Sequence, residues 1–182
     1  MSERTSRPPV VPLIVGLVLV AAVIVAALAI ERATDGEVDL PDALPGGLVA
    51  DSTLPEAAVP AERELEETLG ETVTLGTYRD REGERSATIT VVESDAGPFA
   101  PDGPQPVPES LGLERAATEL VREGDVLCKV AWATTLPEGQ EVPDEDPVAV
   151  FCQLGADGRT YWLNGRDLSV DLAVDILEDV VD

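Results

Sequence analysis

The chain has no histidine at all and a single lysine, Lys129. Without histidine it lacks the commonest general base near neutral pH and the commonest metal ligand. Ser-His-Asp, Cys-His and HExxH chemistry are therefore excluded within it. Basic residues are scarce as a class: 12 Lys and Arg stand against 36 Asp and Glu, for a formal charge of −24. Such a surface repels the phosphates of nucleic acids and the anionic inner leaflet of a membrane, so nucleic acid is not an expected partner. Glycine-rich phosphate loops, the dinucleotide-binding glycine fingerprint and cysteine-based zinc motifs are also absent, and no cofactor or metal is expected.

What the sequence does have is a long apolar run. Val10 to Ile30 contains no charged residue, and 21 helical residues at about 1.5 Å each match the hydrocarbon thickness of a bilayer. Leu, Val, Ile and Ala occupy every side of such a helix and leave no polar stripe to face water. Arg4 and Arg7 precede the run, whereas Glu31, Asp35, Glu37, Asp39 and Asp42 follow it. The positive-inside rule then puts residues 1–9 in the cytoplasm and the acidic remainder outside. Ala27-Leu28-Ala29 also offers a cleavage site for a secretory signal, but the run exceeds the usual signal length of about 7 to 15 residues, which favours an uncleaved anchor.

Residues 31–60 carry Pro41, Pro45, Pro55 and Pro60 together with Gly36, Gly46 and Gly47, a composition that interrupts helix and strand and reads as a linker. Asp35, Glu37 and Asp39 alternate like the start of a calcium loop, but Leu40 and Gly46 stand where the invariant glycine and final glutamate belong. Residues 61–182 form the expected globular part. Glu62–Leu69 suggests a short helix. Thr72–Tyr78 and Ser86–Glu93 alternate in polarity and predict a hairpin, with Val73 and Leu75 on the same side as Ala87, Ile89 and Val91. In its turn, Arg79, Arg81 and Arg85 could grip an anion, but Asp80, Glu82 and Glu84 interleave with them and favour a solvated loop.

Five prolines between Asp95 and Glu109 demand an extended surface segment. After it, Leu113, Ala116, Ala117, Leu120 and Val121 follow helical spacing, with Ser110 as N-cap and Gly124 as stop, predicting a helix. Val126–Ala133, Val148–Gln153 and Arg159–Leu163 predict strands, the last two joined by the hairpin signal Asp157-Gly158. Ser169–Val181 predicts a closing helix. The fold class is α+β: an N-terminal transmembrane helix followed by a small, mainly antiparallel sheet with helices packed on one face.

Antiparallel pairing about Gln140 would set Cys128 opposite Cys152, Val130 opposite Val150 and Trp132 opposite Val148. A structural disulfide between Cys128 and Cys152 is the natural consequence in an oxidising compartment. A reactive cysteine would need a lowered pKa, and the only neighbouring cation, Lys129, points to the opposite face. The run Pro143-Asp144-Glu145-Asp146-Pro147 is the densest acidic spot and reads as an exposed loop rather than a cation site.

The element order after Gly70, with Glu71-Thr72-Val73 and later Asp157-Gly158-Arg159, resembles the thermonuclease family. That family's chemistry requires calcium-binding aspartates and an Arg and Glu near the second strand. Around Asp95 this chain has Ala96, Gly97 and Pro98 instead, so neither fold nor activity is carried over. The sequence is read as a single-pass membrane protein with an extracytoplasmic, non-enzymatic binding or interaction module and an envelope protein as partner. A carboxylate-dependent hydrolase is the alternative, since such chemistry needs only two acids.

Overall fold

Alternating apolar residues in the strands define one buried sheet face, and two segments of the chain cover it. A computed structural model describes residues 38–51, 55–99 and 107–181. The elements are β1 (Ala43–Leu44), β2 (Leu48–Ala50), α1 (Pro55–Leu69), β3 (Val73–Arg79), β4 (Ser86–Val92), β5 (Leu113–Arg115), β6 (Thr118–Glu123), β7 (Val126–Ala131), β8 (Leu136–Pro137), β9 (Ala149–Ala156), β10 (Arg159–Arg166) and α2 (Val170–Val181). Eight strands form one sheet in the order β1-β2-β3-β4-β10-β9-β7-β6, and β5 pairs with β8 in a separate ribbon. Every pairing is antiparallel. The architecture of the described residues is thus α+β, with a mainly antiparallel sheet and two α-helices.

Because residues directly opposite one another share a face, the registers assign each side chain. Tyr78 lies opposite Ala87, Gly76 opposite Ile89, and Thr74 opposite Val91. Continuing across the sheet, Tyr161, Leu163 and Gly165 meet that same face on β10, then Leu154, Cys152 and Val150 on β9, then Cys128 and Val130 on β7. All of these apart from Thr74 and Gly76 are buried. The expectation that Val73 and Leu75 share the side of Ile89 is therefore corrected. Arg79 pairs with Ser86, leaving a six-residue loop, and this loop length sets a register that turns Val73 and Leu75 to the opposite face.

Two segments cover the apolar face. Helix α2 buries Ala173, Ile176 and Leu177 against β7, β9 and β10, and Ser169 caps it by accepting a hydrogen bond from the Leu172 N–H at 3.2 Å. The second cover comes from the segment whose prolines and glycines suggested a linker. The compact unit begins at Asp39, and Leu44 and Leu48 are 4% and 0% exposed. The Pro45–Gly47 turn packs against α2, so close that a Cβ on Gly46 would lie 2.8 Å from Leu172. Tyr78 donates its hydroxyl proton to the Pro41 carbonyl at 3.0 Å. Gly76 leaves room for this cover, since a Cβ there would sit 2.7 Å from Leu40. Burial, and second the nearby Asp42 carboxylate, push the Tyr78 pKa above its ordinary value.

Helix α1 is longer than expected, running through Pro60, and packs along β3. Glu62 accepts a hydrogen bond from the Leu75 N–H at 2.9 Å and Glu66 one from the Val73 N–H at 3.3 Å. These carboxylates satisfy strand donors that β2, paired only with Val73–Arg79's last two residues, does not reach. Gly70 ends the helix at φ 74°.

The largest correction concerns Ser110–Gly124. Where helical spacing predicted a helix, the chain forms β5 and β6. Gly124 is no helix stop. It opens the two-residue Gly124-Asp125 turn of the β6–β7 hairpin at φ 57°. Pairing with β7 and a half-buried Val121 opposite Cys128 outweigh the local periodicity. By contrast, Asp157-Gly158 forms the expected hairpin turn, both residues at positive φ, 51° and 75°.

Leu48→Ala should lower the unfolding free energy by about 2–5 kcal/mol, whereas the same change at half-exposed Val49 should cost far less. Chemical denaturation of the two variants checks whether residues 39–50 belong to the core; equal and negligible effects would return them to the linker.

Candidate functional site

Cys128 and Cys152 lie opposite one another on β7 and β9, with Cα atoms 4.0 Å apart, and form a disulfide. Both are essentially inaccessible, at 1% and 0% exposure. This burial leaves the bond a structural role, pinning the two strands at the centre of the apolar face.

The second cluster was not foreseen. Arg115, at the end of β5, is 3% exposed. Its guanidinium carbon lies 4.2 Å over the centre of the Trp132 ring, a stacked cation–π geometry. Nη2 donates to Glu145 Oε1 at 2.7 Å and to the Thr134 carbonyl at 3.5 Å. Arg115 Nε and Nη1, and Trp132 Nε1, are buried without a hydrogen-bond acceptor. Glu145 comes from the acidic run 143–147, whose Asp144, Glu145 and Asp146 are exposed as expected while Pro147 is buried. Nothing in the sequence around Arg115 points 30 residues ahead to Glu145.

The β3–β4 turn holds a shallow groove of about 360 Å³ lined by Val49, Ala50, Asp51 and residues 79–83. Of the three arginines here, Arg79 pairs with Asp51 at 3.0 Å and Arg85 with Asp80 at 3.1 Å, and Arg81 is exposed. Partial burial works against the Asp80 charge. Hydrogen bonds from the Arg85 side chain and from the backbone of Arg85, Gly83 and Glu84 outweigh it and hold the pKa below the ordinary carboxylate value.

No family model, curated protein or solved structure matches the chain.

Among the described residues no group of three or more His, Cys, Asp or Glu side chains could hold a metal ion. Nor is any helix among them long and apolar enough to cross a membrane; residues 10–30, on which the anchor expectation rests, lie outside them. So do Asp35 and Glu37, while Asp39 is exposed.

The remaining surface of interest is the other face of the sheet. Thr77, Thr88, Thr90, Trp162, Phe151 and Lys129 stand on it half-exposed, with Asn164, Arg166, Leu120 and Arg122 more open. No Asp or Glu projects from this face in β3, β4, β6, β7, β9 or β10. The Trp162 indole donates to Gln153 Oε1 at 2.9 Å, and Gln153 Nε2 to the Gly97 carbonyl at 2.8 Å. Phe99 packs against Phe151 with its ring tilted by 31° and the ring centroids 5.4 Å apart. The segment after β4 thus crosses one side of the face and fixes the tryptophan.

Replacing both cysteines with alanine, or reducing the disulfide, should lower stability by about 3.5 kcal/mol for the loop it closes, measured by denaturant unfolding with and without reductant. Asp80→Asn should destabilise the protein at pH 6 but progressively less below the ordinary carboxylate pKa. The wild-type carboxylate's contribution is present above its unfolded-state value and lost as pH falls through the depressed folded one. Melting temperatures of both proteins from pH 6 to pH 2 check this, and a constant gap would refute it.

Proposed function

We propose that the chain is a membrane-anchored extracytoplasmic module that binds another protein of the cell envelope. Residues 10–30 act as the anchor and residues 1–9 remain in the cytoplasm. The uncharged run with arginines before it and acids after it supports the topology. The buried disulfide supports an oxidising compartment.

The observation that carries the binding reading is the acid-free sheet face in a chain of formal charge −24. A partner approaching there does not have to strip water from a field of carboxylates, and interface centres are depleted in charge. Trp162, held by its indole hydrogen bond, is the kind of rigid aromatic side chain that anchors interfaces. The threonines beside it add a flat surface able both to donate and to accept hydrogen bonds.

Cross-linked native membranes carrying the full-length protein should yield a reproducible envelope partner that a control lacking residues 39–182, the whole compact unit, does not retain. Thr88→Glu combined with Thr90→Glu places two carboxylates on the face and should reduce recovery at least tenfold, or about 1.4 kcal/mol, without loss of thermal stability. Undiminished recovery would rule out this face, and recovery equal to the control would rule out the domain as the binding element.

A further inference from the structure

We propose that Arg115 and Trp132 form a carboxylate-binding site, occupied in the free protein by Glu145 of the chain's own acidic loop, and that an incoming carboxylate exchanges with Glu145 there. This site is built from residues other than those of the sheet face, so it stands if that proposal fails.

Three buried side-chain donors meet at this cluster with nothing to accept from them: Nε and Nη1 of Arg115 and Nε1 of Trp132. A buried donor without an acceptor is destabilising, and natural folds seldom leave such groups side by side. An ordered water could accept from two of them but must itself donate twice. Among the described residues, the buried side-chain acceptors without a hydrogen-bond partner are Asp80 Oδ1, in the β3–β4 turn, and Glu93 Oε1, just past the end of β4 and 3.7 Å from the Arg159 guanidinium. The cluster at Arg115 is short of acceptors alone. A carboxylate, which only accepts, suits that deficit: in place of Glu145 it receives two parallel bonds, from Nη2 together with either Nε or Nη1.

Glu145 fills this role in part. It reaches Nη2 through one oxygen and leaves Nε and Nη1 unmet. Its side chain remains 46% exposed, and residues 138–147 have no strand or helix to hold it. Replacing one carboxylate with another keeps the charge of the site constant, so the buried guanidinium is never left without a counter-ion. Trp132 stays beneath the guanidinium throughout as a fixed stacking surface.

Full-length protein in detergent micelles, carrying Trp162→Phe so that Trp132 is its remaining tryptophan, would be titrated with sodium acetate and with N-acetyl-dialanine. Sodium chloride at matched ionic strength serves as the reference. Both carboxylates should give a saturable change in Trp132 emission that chloride does not. Tighter binding of the peptide would assign a chain terminus as the source, and equal binding a free small carboxylate. Removing the resident group with Glu145→Ala should strengthen apparent affinity about tenfold if Glu145 fills the site about nine-tenths of the time. Arg115→Lys should abolish the response. Should that buried variant fail to fold, the exposed Glu145→Ala comparison decides alone. No saturable response to either carboxylate in the Glu145→Ala protein, or an equal response to chloride, would overturn the proposal.

Discussion

A broad antiparallel sheet with one apolar face is stable only if that face is kept from water, and this requirement organises the whole molecule. The cover comes from the two ends of the described region. Residues 39–48 supply Leu44 and Leu48, and α2 supplies Ala173, Ile176 and Leu177, the two meeting where Gly46 touches Leu172. Between them the Cys128–Cys152 bond ties β7 to β9. The opposite face is more open and carries Lys129, Arg122, Arg166, Phe151 and Trp162, although Val73, Val92 and Thr160 at one end of it are buried.

The central strands were legible because burial on one face writes a period of two directly into the residues. β4, β7, β9 and β10 follow it closely, and two cysteines equidistant from Gln140 made the β7–β9 register readable before any coordinates. Two other segments show what a local pattern cannot convey. Leu113, Ala116, Ala117, Leu120 and Val121 satisfy helical spacing, yet Leu113 falls on a bulged ribbon and Leu120 and Val121 on a strand, with Ala116 and Ala117 in the link between them, once β7 is available as a partner. Residues 39–50 look unstructured because Pro45, Gly46 and Gly47 are turn formers; that Leu44 and Leu48 on either side dive into the core depends on a sheet completed more than a hundred residues later.

The candidate sites were less legible than the fold. The disulfide could be read because the geometry of opposed strands is regular. Arg115, Trp132 and Glu145 come from a ribbon, a strand end and an irregular loop, and no periodicity links such elements. Only the absence of acceptors around their buried nitrogens reveals them as a group, and that is a property of three-dimensional packing. The acid-free face falls between these cases. Its composition is visible strand by strand, but the register that gathers those residues on one side depends on loop lengths such as the six residues from Asp80 to Arg85.

The position of the N-terminal cover also has a mechanical meaning. Tension arriving through the backbone at residue 38 meets first the Tyr78–Pro41 hydrogen bond and the two residue pairs joining β1 to β2. Pairs loaded at one end of a short hairpin separate one after another rather than sharing the force. The half of the sheet containing β7 and β9 is covalently closed and remains intact meanwhile. Stretching would therefore peel Leu44 and Leu48 away from the core while the disulfide-linked half stayed folded, making the domain a two-stage element under load.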